Sequence, residues 1–166
     1  MTKIYLGIHI LGVYTVRIIL VSLLAVTLTS CSIATVQSVP VETVVQVQGD
    51  TQNKLYVRAN NWMVETFRNA ESVIQFTDKE SGTITGRYLL GVITTPSQYG
   101  PGSKAYATIN VRVKDGASKI TVTPEEFQYA VGNPYTLYTE EKMDIDIADL
   151  MASFESYMNT KENDNW

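Results

Sequence analysis

The sequence predicts a two-layer α+β domain, in which an antiparallel sheet of about five strands carries two helices on one face, in the order β-α-β-β-β-β-α. Three observations predict this fold class. Two segments repeat their apolar residues at helical spacing, several segments between them alternate with a period of two, and turn residues separate the runs. With 166 residues, 45% of them hydrophobic, the chain is long enough for one globular domain.

The first thirty residues have the composition of a secretory signal. Lys3 and Arg17 are their only charged side chains beside the single histidine, His9, and an apolar run follows over Ile18–Leu28. A run of this length is typical of the core of a signal peptide and is too short to span a bilayer by itself. A retained transmembrane anchor over 4–28 is the alternative, and it would bury Arg17 near mid-membrane at a cost of about 3 kcal/mol.

The segment ends in Leu28-Thr29-Ser30-Cys31, which resembles the lipobox of bacterial lipoproteins. There a cysteine thiol accepts a diacylglyceryl group, the chain is cleaved before it, and its amine is then acylated. We therefore predict a lipoprotein signal peptide over 1–30 and lipidation at Cys31; an incidental buried thiol is the alternative. Three acyl chains suffice for stable anchoring, because each buried CH₂ contributes about 0.8 kcal/mol. The resemblance also implies outer-membrane sorting, since Ser32 replaces the aspartate of retained lipoproteins, and a periplasm-facing domain.

The mature chain divides into three parts by pattern. Residues 31–42 contain one proline and no amphipathic period, which predicts a tether between lipid and domain. The folded domain is predicted over 43–159, and a polar tail over 160–166. Its first strand is Thr43–Gln48, and Asp50 or Thr51 then caps a helix over 51–69.

The remaining elements follow from changes of period. A hairpin pairs Ser72–Thr77 with Thr83–Thr94, and the segment Lys104–Lys114 alternates cleanly into the next strand, Ser118–Thr123. Residues 124–138 receive no assignment, and Thr139 is predicted to cap the second helix. The interior is expected to be filled by five large side chains: Trp62, Phe67, Phe76, Tyr88 and Phe154.

The sequence is similar to a known family in the helix residues Leu55-Tyr56, Arg58-Ala59 and Trp62 and in the hairpin residues 73–75 and 78–82 with Ile84 and Gly86. This is the 4468 domain-of-unknown-function family of lipoproteins and secreted proteins from Bacteroidota, which is described as having a TATA-binding-protein-like (TBP-like) fold. The resemblance covers about 45–113. It implies the same order of elements and a location in a Gram-negative envelope, and it implies no activity or catalytic residue.

Composition excludes several function classes. The only histidine and the only cysteine, His9 and Cys31, precede the predicted domain, so the domain lacks the residues for a Ser-His-Asp or Cys-His site, a Cys/His zinc site or a disulfide framework. We therefore expect no enzyme activity, no cofactor and no metal. Removal of 1–30 deletes two positive charges from a net charge of −4, and such an acidic chain is a poor nucleic-acid binder.

The candidate partner-binding residues are Arg87, Tyr106 and Arg112. Alternation places them, with Lys114 and Lys119, on the sheet face that is free of helices. Arginine and tyrosine are enriched among interface anchors, so this face is a candidate docking surface for an envelope protein or another anionic partner. The alternative is that the charges only protect an exposed sheet and keep it soluble.

Two function classes stay open at this point. The first is a lipid-anchored, non-catalytic binding or assembly-accessory module. The second is a periplasmic carrier that holds an apolar small molecule between sheet and helices, which would require an underfilled interior.

Overall fold

The structure is a computed structural model, and it describes residues 32–67, 73–98 and 100–160. The predicted signal peptide, Cys31 and most of the predicted polar tail lie outside these residues. The chain divides into two compact units, Met1–Ser32 and Ile33–Trp166, and the second contains the domain. Within the described residues, no helix has the length and apolar character needed to cross a membrane.

The described residues form seven strands and two helices. In chain order they are β1 (Ile33–Val36), β2 (Val41–Gln46), α1 (Gln52–Thr66), β3 (Val73–Asp78), β4 (Thr83–Thr94), β5 (Ser103–Lys114), β6 (Ala117–Pro124), β7 (Phe127–Ala130) and α2 (Glu140–Asn159). The predicted α+β class is confirmed, with β1 and β7 as additions to the predicted order.

Five strands make the main antiparallel sheet, in the order β2-β6-β5-β4-β3. Its buried face alternates along β5, where Ala107, Ile109 and Val111 are fully buried between exposed or half-exposed polar residues. Strands β1 and β7 pair with each other in a separate two-stranded ribbon, in which Val36 lies opposite Phe127.

Both helices bury their apolar stripes against the same side of the main sheet. Trp62 of α1 is 1% exposed, and its ring meets Phe154 of α2 edge-on at 5.0 Å between centroids. Its indole Nε1 donates a hydrogen bond of 3.2 Å to the Ser153 hydroxyl. The interior is therefore closed by aromatic contacts between the two helices.

Helix α1 begins at two side-chain caps. The Thr51 hydroxyl accepts a hydrogen bond from the Lys54 backbone amide, and the Asp115 carboxylate in the β5–β6 turn accepts one of 2.7 Å from the Gln52 amide. A carboxylate at this position is also stabilised by the helix dipole. At α2, Thr139 is extended as predicted for a cap, but its side chain makes no capping hydrogen bond.

The predicted tether over 31–42 is wrong, because Ile33–Val36 forms β1 and β2 already begins at Val41. The domain thus starts about ten residues before the predicted boundary. Burial stabilises β1 as part of the domain, because Val36 lies opposite Phe127 and is only 1% exposed. The partner strand of β1 is β7, which lies within 124–138, the segment for which the sequence predicted no structure.

The prediction that Phe76 points inward is also wrong. A bulge between Ile74 and Phe76 shifts the register, so Phe76 lies opposite Thr85 on the helix-free face and is 53% exposed. Because side chains alternate with a period of two, one extra residue moves every following side chain to the other face. Thr77 lies opposite the buried Ile84 and is itself exposed at this edge of the sheet.

Candidate functional site

The helix-free face of the main sheet is built from the residues that alternate with the buried ones. Across β6, β5 and β4 its pairing rows include Lys119 with Arg112 and Thr83, Thr121 with Asn110 and Thr85, and Thr123 with Thr108 and Arg87. All three candidate residues, Arg87, Tyr106 and Arg112, lie on this face, as predicted from alternation.

Arg87 is already engaged within the domain. Its Nε and Nη2 donate hydrogen bonds of 2.7 and 2.8 Å to the two carboxylate oxygens of Glu125, and its guanidinium lies 3.6 Å from the centre of the Tyr106 ring. These hydrogen bonds raise the pKa of Arg87 and lower the pKa of Glu125. Arg87, Tyr106 and Glu125 therefore form one preorganised cluster.

Arg112 lies apart from that cluster. It pairs with Thr83, whereas Arg87 pairs with Thr108, four residues earlier on β5. At about 3.4 Å per residue this is a separation of about 14 Å along the strand. The structure thus brings together two of the three candidate residues and leaves the third near the β5–β6 turn.

Arg112 belongs to a cleft that we call the cationic cleft, defined by Arg112, Lys114 and Lys119. The cleft has a volume of about 380 Å³. Its walls come from β2, the start of α1, the β3–β4 turn and the β5–β6 hairpin: Val44, Gln52, Ser81, Arg112, Val113, Lys114, Ala117, Ser118 and Lys119.

Two of the three cations in the cleft are not paired by neighbouring carboxylates. Lys119 Nζ donates a hydrogen bond of 2.8 Å to Glu42, which lowers the pKa of Glu42. Arg112 and Lys114 are exposed, and neither forms an ion pair with any residue in the described part of the chain. The cleft consequently offers two free cations beside a third that is held in place.

Backbone and side-chain hydrogen bonds fix the rim of the cleft. The side-chain Nε2 of Gln52 donates to the carbonyls of Lys79 and Glu80, and the Val113 backbone amide donates to the Gly82 carbonyl at 2.8 Å. Gly82 has φ +67, which favours glycine, and an added Cβ would lie 2.4 Å from the Val113 carbonyl. A fixed rim lowers the entropic cost of binding.

A family model described as "Domain of unknown function (DUF4468) with TBP-like fold" matches residues 42–130. The chain belongs to this family. The predicted resemblance is confirmed, and the matched segment of this DUF4468 protein includes the whole lining of the cationic cleft.

Two solved structures share the fold. A DUF4468 family protein from Bacteroides ovatus is 18% identical, with a TM-score of 0.52 over 77% of this chain and 90% of its own. A TBP-like protein from Parabacteroides distasonis is 12% identical, with a TM-score of 0.54 over 75% of this chain and 95% of its own. At these identities the likeness concerns the fold alone. No curated protein matches the sequence significantly.

The space between α1 and the sheet of this DUF4468 domain is nearly filled. A cavity lined by Met63, Phe67, Tyr88 and neighbouring residues measures about 10 Å³, which is about the space of one water molecule. The described residues contain no group of three or more His, Cys, Asp or Glu side chains arranged to hold a metal ion.

Sequence patterning located the cations but not the cleft. Alternation predicts the face on which Arg112, Lys114 and Lys119 lie. Gln52 and Ser81 line the same cleft because the start of α1 and the β3–β4 turn lie beside it. The turn signals at 78–82 and 115–116 were the available sign that these segments meet at one end of the sheet.

Proposed function

We propose that this protein is a lipid-anchored, non-catalytic binding module of the cell envelope. Its cationic cleft receives an acidic segment of an envelope protein, and the anchor on Cys31 keeps the module at the outer membrane, facing the periplasm. The observation that carries the proposal is the pair of exposed cations, Arg112 and Lys114, which no described carboxylate neutralises on a face that no helix covers.

Three physical features support binding at the cleft. Its cations stand on adjacent strands of a central sheet, so their spacing is set by the strand register rather than by a loop. Its rim is fixed by the hydrogen bonds of Gln52 and Gly82. Its charge is opposite to that of an acidic peptide, which favours association over long distances.

The carrier alternative finds less support in the structure. A carried small molecule needs a cavity of about 300 Å³ or more, whereas the cavity between α1 and the sheet has a volume of about 10 Å³. The larger hollow of about 420 Å³ between β4 and α2 is open to the surface and does not enclose a ligand. Trp62 and Phe154 occupy the region between the helices instead.

Carbodiimide treatment of intact envelopes tests the binding function. The reagent condenses a lysine amine with a contacting carboxylate to an amide, so the crosslink that maps to Lys119, an amine kept in every variant below, reports an acidic partner in the cleft. We expect the wild-type protein to form a defined crosslinked species. Replacing Arg112 and Lys114 by Gln should lower its yield about tenfold, because loss of two charged contacts weakens binding by about 1.4 kcal/mol in total.

The matched control carries the same loss of charge elsewhere. Lys104 lies at the other end of the same face of β5, and Lys142 lies on α2, so Lys104→Gln with Lys142→Gln should leave the crosslink unchanged. Equal yields from wild type and the Arg112/Lys114 variant, at unchanged melting temperature, would contradict binding at the cleft.

A further inference from the structure

The end of the domain that carries the β1–β7 ribbon is the part closest to the proposed anchor. β1 begins at Ile33, and only Ser32 separates it from Cys31. Two residues of extended chain span at most about 7 Å. Because there is no tether, a lipid on Cys31 would hold this end of the domain at the membrane surface.

Four exposed large apolar side chains lie close together at this end. Ile33 is 65% exposed, Val131 50%, Leu137 45% and Tyr135 78%. We call these four residues the ribbon-end patch. None of them is needed to close the interior, and large apolar groups left in contact with water at one place mark an interaction surface.

Hydrogen bonds hold the patch together. Ile33 pairs with Ala130 in the ribbon, and the Ala130 carbonyl accepts a hydrogen bond of 3.0 Å from the Thr136 hydroxyl. The Tyr135 amide donates to the Asn133 side chain at 2.9 Å. The turn after β7 thus folds back on the residue that pairs with Ile33, which gathers the patch around the point where the chain enters the domain.

The segments that form this end carry no charge. Residues 32–41, 88–103 and 127–139 contain no Asp, Glu, Lys or Arg. The second of these includes the β4–β5 loop, and the Leu137 amide donates to the Ile93 carbonyl at 2.9 Å beside it. The exposed Lys142 ammonium donates a hydrogen bond of 2.6 Å to the Leu137 carbonyl at the edge of this surface. Its long side chain can keep the charge at headgroup level while the uncharged segments enter the interfacial layer.

The charges that flank the uncharged segments are mostly acidic. Glu42, Glu126, Glu140 and Glu141 lie next to them, and Arg87 and Lys104 bound the β4–β5 segment. Acidic flanks do not attract anionic lipid. This composition favours apolar contact with neutral headgroups and the upper part of the acyl chains. Tyrosine is typical of this interfacial layer.

We propose that the ribbon-end patch rests in the interfacial layer of the neutral membrane surface that holds the Cys31 lipid. The proposal rests on the anchoring part of the proposed function. An apolar surface of this kind enters about 5–10 Å into the boundary between headgroups and acyl chains. Contact through the patch fixes the orientation of the domain relative to the membrane, which the lipid on Cys31 would not fix by itself.

This orientation has a consequence for the cationic cleft. The cleft lies at the β5–β6 turn, and the ribbon follows the other end of β6, which runs from Ala117 to Pro124. At about 3.3 Å per residue these ends are about 23 Å apart. Contact through the patch therefore presents the cleft away from the membrane that anchors the protein.

Fluorescence quenching by lipid tests the orientation on the acylated full-length product. Acylation blocks the only cysteine of the chain, so a Val131→Cys variant has one reactive thiol for a nitrobenzoxadiazole dye. The labelled protein is reconstituted into phosphatidylcholine vesicles with nitroxide-bearing lipid. We expect the dye at position 131 to be quenched several-fold more strongly than a dye at a Lys79→Cys position, in the β3–β4 turn at the cleft end.

Matched substitutions separate the patch from general hydrophobicity. In the Val131→Cys background, Ile33→Ser with Tyr135→Ser should reduce the quenching to the level seen at position 79. Val57→Ser with Val64→Ser, which removes apolar side chains that are 48% and 56% exposed on α1, should leave it unchanged. Addition of anionic lipid should not increase the quenching.

Each contrary result has a distinct meaning. An acylated protein whose dye is quenched equally at positions 131 and 79 overturns the orientation and leaves the anchor intact. A mature chain without lipid on Cys31, seen in its mass before labelling, removes the anchor and the orientation together. Concentration-dependent shielding of the dye in detergent without vesicles would assign the patch to a second copy of the chain and would also overturn the proposal.

Discussion

At the residue scale, the buried Arg58 side chain of α1 binds both Asp50, which precedes α1, and the C-terminal end of α2. Its side chain is 4% exposed, its Nη2 lies 2.9 Å from the Asp50 carboxylate, and its Nη1 donates a hydrogen bond of 2.7 Å to the Met158 carbonyl. Helix α2 has no basic residue in its last turn, so Arg58 of α1 supplies the positive charge that its dipole favours. Arg58 and Met158 are a hundred residues apart in the sequence.

Arg58→Ala is expected to lower the free energy of unfolding by about 3 kcal/mol, because it removes the closer cationic partner of a partly buried carboxylate and the hydrogen-bond donor to a helix-terminal carbonyl. Lys54→Ala is the matched control, since Lys54 also approaches Asp50, at 3.6 Å, but is 39% exposed. Its effect should stay below about 1 kcal/mol. Urea unfolding measures both, and equal effects would contradict the role of Arg58.

The ion pair of Arg87 and Glu125 gives a prediction on pH. The hydrogen bonds from Arg87 lower the folded-state pKa of Glu125 below its usual value of 4.5. The unfolded chain therefore binds the proton more readily, so the stabilising contribution is complete above the unfolded pKa and is lost as the pH falls through the lower folded pKa. Glu125→Gln should flatten this part of the profile of melting temperature against pH. Parallel profiles for the two proteins across that acid range would rule the contribution out.

At the scale of elements, the packing of α1 on α2 depends on Trp62. Its ring contacts Phe67 at 5.5 Å and Phe154 at 5.0 Å between centroids. Trp62→Ala should lower the free energy of unfolding by about 3–5 kcal/mol. Val64→Ala, at a position that is 56% exposed on the same helix, should change it little. An unchanged melting transition in the Trp62 variant would contradict the assigned face of α1.

Strand β4 requires a glycine where it passes Tyr138. An added Cβ at Gly91 would lie 2.3 Å from the Tyr138 ring, whereas one at Gly100 would meet nothing within 4 Å. Gly91→Ala should therefore lower the free energy of unfolding by about 1–3 kcal/mol through overpacking, and Gly100→Ala should leave it nearly unchanged. Thermal unfolding compares them. Equal stability of the two variants would show that Tyr138 can move aside at no cost.

The regular elements were predictable where periodicity and turn residues agree. The bounds predicted for β4, Thr83 and Thr94, are those of the structure, because turn-rich segments flank this strand on both sides. Its alternation is interrupted by irregularities between Leu89 and Gly91 and between Val92 and Thr94. Strand β1 was missed because its four residues are too few to show a period. The inward position of Phe76 was missed because a bulge depends on contacts with β4 that the local sequence does not encode.

The same distinction applies to the candidate site. Alternation predicts which side of the sheet Arg87, Tyr106 and Arg112 occupy, and the structure agrees. The ion pair of Arg87 with Glu125 depends on where β6 ends, and the cationic cleft depends on how α1 and two turns meet. Those are long-range contacts, and no local pattern contains them.

At the scale of the whole molecule, the two ends of the domain differ in chemistry. One end combines the ribbon-end patch with three uncharged segments, and the other carries Arg112, Lys114 and Lys119. The proposed attachment at the first end and the proposed binding at the second would make this domain a module that presents a partner site at a fixed distance from a membrane. This arrangement depends on Cys31 as the point of attachment.

Mass spectrometry of the N-terminal peptide, from protein extracted from the envelope of a Gram-negative host, tests that central claim most directly. The expected result is a chain that begins at Cys31 and carries a thioether-linked diacylglyceryl group with a third, amide-linked acyl chain. A Cys31→Ala protein should retain residues 1–30 and carry no lipid. A wild-type chain that keeps its first thirty residues, or that begins elsewhere with an unmodified thiol, would contradict the anchored module.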